Sequence, residues 1–185
     1  MEIKEKRLKG FKEIILEPHK DNRGFLVSLY DKEAFKEHGL NTNWIQTFHS
    51  HTEKANTIRG LYGQLSSFSE AKVIKAINGK MLWVVVDLRK DSETFGQWDS
   101  IILSNELGNM VYVENGFANG CFSLTDNVDL IIKTDNLFSY EYGFGIKWSD
   151  SDLNIDWPTK ESIIISDKDN NYPSFNNFKE KYGGL

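Results

Sequence analysis

Short apolar runs alternate with polar turns along most of this chain, a rhythm that predicts strands far more often than helices. Residues 1–18 alternate weakly as they approach Pro18, as one or two edge strands do. Asp21-Asn22-Arg23-Gly24 is a turn signal, and Phe25–Tyr30 is a short β-rich run. Asp31–His38 reads as a short helix: Asp31 can cap it, Glu33 and Glu37 suit a helical surface, and Gly39 can end it in the left-handed conformation. Strands are predicted over Trp44–Thr52, Ile58–Leu61, Ala71–Ile77 and Lys80–Leu88. Further strands are predicted over Trp98–Leu103, Met110–Val113, Phe122–Leu124 and Leu130–Lys133. Asn78-Gly79 lies between two apolar runs and predicts a tight hairpin, because a type I′ turn needs positive φ at both central residues. Asp87–Gly96 reads as a loop, and Asn176–Tyr182 as a faint helix in the tail. Many short strands at this spacing predict an all-β sandwich or barrel, whose open mouth is a natural small-molecule pocket.

Composition narrows the class. A chain of 185 residues fits one domain with a substantial core, and no repeat, linker or low-complexity tract divides it. A net charge of −5, with no Lys/Arg-rich block, argues against nucleic acid as partner. The lone Cys121 rules out an internal disulfide and fits a reducing cytoplasm. The opening MEIKEKRLKG is charged with no apolar segment behind it, so neither a secretion signal nor a membrane span is expected.

Candidate chemistry concentrates in Asn56–Val86, where two cations, Arg59 and Lys72, stand among apolar residues. Arginine suits phosphate because its donors form a planar fork; each such arginine could equally be a structural ion pair. Lys72, at a strand start, is either a surface lysine or a buried ammonium aimed at a developing oxyanion. His49 and His51, two apart on a strand, share one face, while Gln46, Phe48, Ser50 and Thr52 occupy the other.

The order and spacing of short motifs resemble the dTDP-4-dehydrorhamnose 3,5-epimerase family over nearly the whole chain. Arg23-Gly24-Phe25 is similar to its Asp-x-Arg-Gly-Phe, Gln46 and Ser50 to its Gln-x-x-x-Ser, and Ile58-Arg59-Gly60-Leu61 to its Leu-Arg-Gly-Leu. Gln64 and Lys72 follow at the family's spacing, and Val86-Asp87-Leu88-Arg89 with Ser92, Thr94, Phe95 and Gly96 resembles a further block. Gly116-Phe117-Ala118, Ile155-Asp156-Trp157-Pro158 and Ser166-Asp167-Lys168-Asp169 complete the series. The resemblance implies a cupin-type jelly roll without cofactor or metal. It also implies a homodimer that exchanges N-terminal strands, and a nucleoside-diphosphate-linked 4-keto-6-deoxy sugar as substrate. Lys72 would hold the enolate oxygen, Arg23 and Arg59 the diphosphate, and Phe25 the base, from the partner subunit if strands exchange. Gln46, Ser50, Gln64 and Asn119 complete the implied substrate-binding set.

The departures fall on the chemistry. Tyr62 stands where the family has its catalytic His, Ile132 where it has the opposite-face Tyr, Asn119 where it has a further His, and Phe138 where it has another Tyr. Ser28 replaces a Glu that usually follows Arg-Gly-Phe. A tyrosine titrates near 10 against about 6.5 for histidine, so Tyr62 reads as an acid or hydrogen-bond donor rather than a base. Asp169, which in the family orients the His, could accept a bond from the Tyr62 hydroxyl. Three readings stay open: an epimerase or ketoisomerase with altered proton transfer using Lys72, Tyr62 and Asp169; a non-catalytic nucleotide-sugar binder; and a conventional 3,5-epimerase with a substitute base.

Overall fold

The computed structural model describes residues 1–185, the side chain of Ser66 excepted. Two antiparallel sheets form the body of the molecule. The six-stranded sheet runs β1 (Glu2–Glu5), β2 (Phe11–Ile15), β10 (Asn109–Val113), β7 (Lys72–Asn78), β12 (Val128–Thr134) and β5 (Gln46–Thr52). The five-stranded sheet runs β13 (Gly143–Gly145), β6 (Ile58–Gln64), β11 (Phe117–Ser123), β8 (Lys80–Asp87) and β9 (Trp98–Ser104). This is the jelly-roll sandwich expected from the strand rhythm.

Alternation sorts the side chains into layers. On β8, Met81, Trp83 and Val85 face the space between the sheets, where they meet Ile74, Val111 and Leu130 of the facing sheet. Val84 and Val86 point the other way and are buried against Ile155, Trp157, Phe175 and Phe178. The C-terminal segment therefore covers the outer face of the five-stranded sheet, which is why β8 reads as an almost continuous apolar run. A third cluster, Phe35, Leu40, Val73, Met110 and Tyr112, covers the outer face of the six-stranded sheet beneath α1 (Lys32–Glu37). As expected, the Asp31 carboxylate caps α1 by accepting from the Ala34 amide at 2.8 Å. Gly39 follows with φ +67°.

The structure departs from the sequence reading in three places. Asn78-Gly79 does not close a hairpin: β7 bonds to β10 and β12, β8 to β9 and β11, and the turn carries the chain from one sheet to the other. Only Gly79 of the pair takes positive φ, and a sharp reversal alone does not decide which strands pair. The strand predicted over Phe122–Leu124 is the whole of Phe117–Ser123, every residue of it buried. Its Ala, Asn, Gly and Cys have little β propensity, and burial between β6 and β8 overrides it. The β-rich run Phe25–Tyr30 contributes only β4 (Gly24–Leu26), which pairs with β3 (His19–Asp21) in a separate ribbon. On this ribbon Phe25 is 59% and Leu26 74% exposed. Two short helices close the chain, α2 (Asp167–Asn170) and α3 (Phe175–Tyr182); the sequence pattern suggested only the second.

Candidate active site

One end of the inter-sheet space is not filled by core side chains and forms a cavity of about 580 Å³. Phe48 of β5, Lys72 of β7, and Ile132 and Thr134 of β12 line it from the six-stranded sheet. Tyr62, Gly63 and Gln64 of β6 line it from the other, with β13 beside them. Pairing explains the grouping: Lys72 lies opposite Thr134, and Ile74 opposite Ile132, so one face of β7 and β12 presents a cation beside an aliphatic wall. The opening is bordered by Phe138 and Tyr140, exposed at 48% and 85%.

Lys72 is partly buried rather than a surface lysine. Its ammonium donates to the Glu70 carboxylate Oε1, and their side chains are only 12% and 7% exposed. An ammonium has three N–H donors, so Lys72 keeps two for another acceptor. Burial pushes the Glu70 carboxyl above the ordinary carboxylate range; the Lys72 charge opposes that shift and Asp135 adds to it.

Tyr62 is 38% exposed, and that surface faces the cavity rather than open solvent. Desolvation pushes its hydroxyl well above the usual tyrosine value, with Cys121 and Asp169 adding and the Arg59 charge opposing. At neutral pH it is a proton donor and a very poor base. The expected bond from Tyr62 to Asp169 is not made. The buried Asp169, itself part of the lining, instead takes the Gly60 amide on its Oδ2 at 3.0 Å and so ties α2 to β6. Gly60 allows this close stacking, for it has φ +103° and a Cβ there would lie 2.5 Å from the Asn119 carbonyl oxygen.

Two predicted polar ligands are committed to the mouth of the cavity. Gln64 donates to the carbonyls of Phe68 (2.8 Å) and Leu137 (3.0 Å) and accepts from the Ser139 amide (2.5 Å). Gln46 accepts from the Phe138 amide at 2.7 Å. Both thus hold the loop that carries Phe138 and Tyr140. Asn119 lies away from the cavity wall, 2% exposed, accepting from Trp83 Nε1 at 3.2 Å. Ser50 shares the face of Phe48 on β5 but does not reach the lining. Arg59 also lies outside the lining; it donates to the His51 carbonyl (3.0 Å) and Thr52 Oγ1 (3.4 Å). No carboxylate pairs with Arg59 among the described residues, which leaves its charge free for an anion.

Arg23 and Phe25 are carried off on the β3–β4 ribbon, where Arg23 pairs with Asp21 at 2.5 Å. The single chain does not bring them to its own cavity. His49 and His51 face outward, and both bond the same Asp129 carboxylate oxygen, at 2.8 and 2.9 Å.

Sequence reasoning missed Glu70, Tyr172 and Lys168, all of which line the cavity. For Glu70 a signal was present: two positions before Lys72 in extended chain, it must share the face of Lys72. For Tyr172 none was, since its ring reaches the site by lying against Gly145, where any Cβ would fall 2.2 Å from it. Desolvation pushes the Tyr172 hydroxyl up as well, so it too stays protonated.

Comparison with known proteins places this geometry. The sequence model of the dTDP-4-dehydrorhamnose 3,5-epimerase family matches residues 5–177. The dTDP-4-dehydrorhamnose 3,5-epimerase of Shigella flexneri is 36% identical over 156 residues, covering 84% of this chain and 85% of that protein. Among solved structures, the dTDP-6-deoxy-D-glucose-3,5-epimerase of Legionella pneumophila, in complex with dTDP-4-keto-L-rhamnose, superposes with TM-score 0.92. It is 29% identical and covers 97% and 95% of the two chains. A 3′-monoepimerase of Streptomyces bikiniensis, in complex with dTDP-quinovose, gives TM-score 0.89 at 26% identity and 97% and 90% coverage. Among the described residues no helix is long and apolar enough to cross a membrane.

Proposed function

The chain belongs to the dTDP-4-dehydrorhamnose 3,5-epimerase family, and from that premise we propose that it is a carbohydrate epimerase with altered proton transfer. Its substrate is a nucleoside-diphosphate-linked 4-keto-6-deoxy sugar. The supporting observation is Lys72: a partly buried ammonium with two free donors, in a cavity large enough for a sugar and walled by aliphatic and aromatic side chains.

A ketone acidifies the hydrogens on both neighbouring carbons, because the electron pair left by a departing proton moves onto the carbonyl oxygen. A cation fixed at that oxygen stabilises the enolate where its charge develops, in a site with little water. Lys72 holds that position. Tyr62, on the opposing sheet, carries a hydroxyl that burial keeps protonated, and it serves as a donor to the enolate rather than as the base. Arg59, free of carboxylates at the edge of the site, takes the diphosphate. In a dimer, the exposed β3–β4 ribbon reaches into the partner subunit and presents Phe25 to the base and Arg23 to the phosphates. The relatives' bound dTDP-sugars support this assignment of substrate class.

The test is exchange with solvent. The protein is incubated in D2O with dTDP-, CDP-, GDP- and UDP-linked 4-keto-6-deoxy sugars, and deuterium is followed at carbons 3 and 5 by NMR. Wash-in at one carbon is expected, since only one wall carries a clear donor; wash-in at both would make the protein a conventional double epimerase. Saturable dTDP binding without any wash-in would overturn the catalytic reading. Tyr62→Phe is expected to slow inversion at that carbon roughly 100-fold, the loss typical of one acid–base group, without weakening dTDP binding.

A further inference from the structure

We propose that Glu70 is the base that removes the proton from the carbon next to the ketone, an assignment that rests on the epimerase reading above. Three observations carry it. Glu70 lines the cavity itself, not a shell behind it. Its side chain is 93% buried, and while Oε1 takes the Lys72 ammonium, Oε2 has no hydrogen-bond partner among the described residues. A buried acceptor without a partner is costly in a fold, and it leaves a carboxylate of the cavity lining short of one hydrogen bond.

The third observation concerns the other groups in the cavity. Tyr62 and Tyr172 hold protonated hydroxyls, Lys72 and Lys168 are cations, Tyr140 stands exposed at the rim, and Ile132 has nothing to transfer. Asp169 also lines the cavity, with one oxygen tied to the Gly60 amide. Of the two carboxylates in the lining, Glu70 alone is linked to the cation that must hold the enolate. Burial also raises its affinity for a proton, which brings the carboxyl closer to the operating pH, as a general base requires.

The step balances without any further reagent. The carbon–hydrogen bond breaks, and the proton goes to the Glu70 carboxylate. The bonding pair becomes the carbon–carbon double bond of the enolate, and the carbonyl pair moves to the oxygen held by Lys72. Reprotonation by the Tyr62 hydroxyl from the opposing sheet inverts the centre; reprotonation by Glu70 itself restores it. Either group recovers its starting state by exchange with water at the mouth of the cavity. Glu70 precedes β7 of the six-stranded sheet and Tyr62 lies on β6 of the other, so the two approach the sugar from different walls. Charged neighbours of Glu70 are Lys72, in contact, and Asp135, whose carboxylate already accepts from the Ala71 amide at 2.7 Å and from Asn41 at 2.5 Å.

The test uses the full chain with dTDP-4-keto-6-deoxyglucose in D2O and compares wild type, Glu70→Gln and Glu70→Asp. Glu70→Gln keeps shape and hydrogen bonding but cannot take a proton. It is expected to lower deuterium wash-in at least 100-fold while leaving the dTDP dissociation constant close to wild type. The wild-type rate should rise with pH along a limb above the ordinary carboxylate range. Glu70→Asp should keep that limb at a reduced rate, and Glu70→Gln should lose it. Wash-in within a few-fold of wild type in Glu70→Gln overturns the assignment of Glu70 alone. Tight dTDP binding with no wash-in by the wild type overturns the epimerase reading, and the base assignment with it.

Discussion

Lys72→Ala is expected to abolish turnover, by roughly 10,000-fold or more, while dTDP binding stays within a few-fold of wild type. Two losses combine. Removing a fixed charge from a developing oxyanion costs about 100- to 1,000-fold. The same change removes the one partner of Glu70 Oε1 and leaves a carboxylate buried with neither oxygen paired. Such a group takes up a proton rather than remain charged, so Glu70 is neutral and no longer basic. The second loss multiplies the first, because it removes general-base catalysis from an enolate that is already poorly stabilised. Binding should be spared because Arg59, proposed above to take the diphosphate, reaches from β6 to His51 and Thr52 of β5 and bonds neither group. Single-turnover deuterium wash-in, with dTDP titrated calorimetrically in parallel, checks both halves. Turnover within tenfold of wild type would show that the enolate oxygen is held elsewhere.

Asp87→Asn is expected to destabilise the fold by about 3–5 kcal/mol, the usual cost of breaking a buried, fully bonded ion pair by removing one partner. Asp87 is 0% exposed at the end of β8. It accepts from Arg89 Nε (2.9 Å) and Nη2 (2.7 Å), from Ser92 Oγ and Thr94 Oγ1 (both 2.6 Å), and from the Arg89 amide (3.0 Å). This knot shapes the whole loop to Gly96, and Arg89 passes from it over the Phe117 ring, 4.5 Å from the centroid. For a chain of this size the loss lowers Tm by roughly 6–20 °C, measurable by calorimetry. The sign of the pH dependence follows from the same bonds. Burial alone would raise the Asp87 carboxyl, but the bonds from Arg89, Ser92 and Thr94 outweigh it and hold the carboxyl below its ordinary 3.8. The native state therefore binds fewer protons than the unfolded chain just below that value. The stabilisation is complete above pH about 3.8 and is lost as the pH falls through the depressed native value. Wild type should lose this increment on acidification, and Asp87→Asn should lack it at every pH. Equal acid sensitivity in the two proteins would assign the knot no electrostatic role.

The two predictions differ in how far the sequence announced them. Asp87, Arg89, Ser92 and Thr94 stand within one loop, so their spacing carried most of the arrangement. Lys72 was legible as a cation at a strand start, yet its partnership with Glu70 was overlooked, although two residues in extended chain must share a face. Asp169 and Tyr62 line the same cavity but share no hydrogen bond. Which group an acceptor 109 positions away actually meets depends on how α2 packs against β6. Gln46 and Gln64 were read as ligands of substrate and stand as anchors of the mouth loop, a distinction that rests on where residues 137–139 run.

By itself, then, the amino-acid order determined the class of fold, the strand-rich layout and the family. It also placed Tyr62 and Ile132 at the positions where the family resemblance expects proton-transfer residues, because alternation, turn chemistry and motif spacing are local properties written residue by residue. The tertiary structure alone decided that Asn78-Gly79 crosses between sheets, that Phe117–Ser123 is a buried central strand, and that Arg23 and Phe25 leave their own cavity on an exposed ribbon. It alone left one oxygen of Glu70 buried and unpartnered beside Lys72. Those outcomes depend on which surfaces are buried against which, and burial sets both strand pairing and the protonation of a carboxyl that local sequence leaves undetermined.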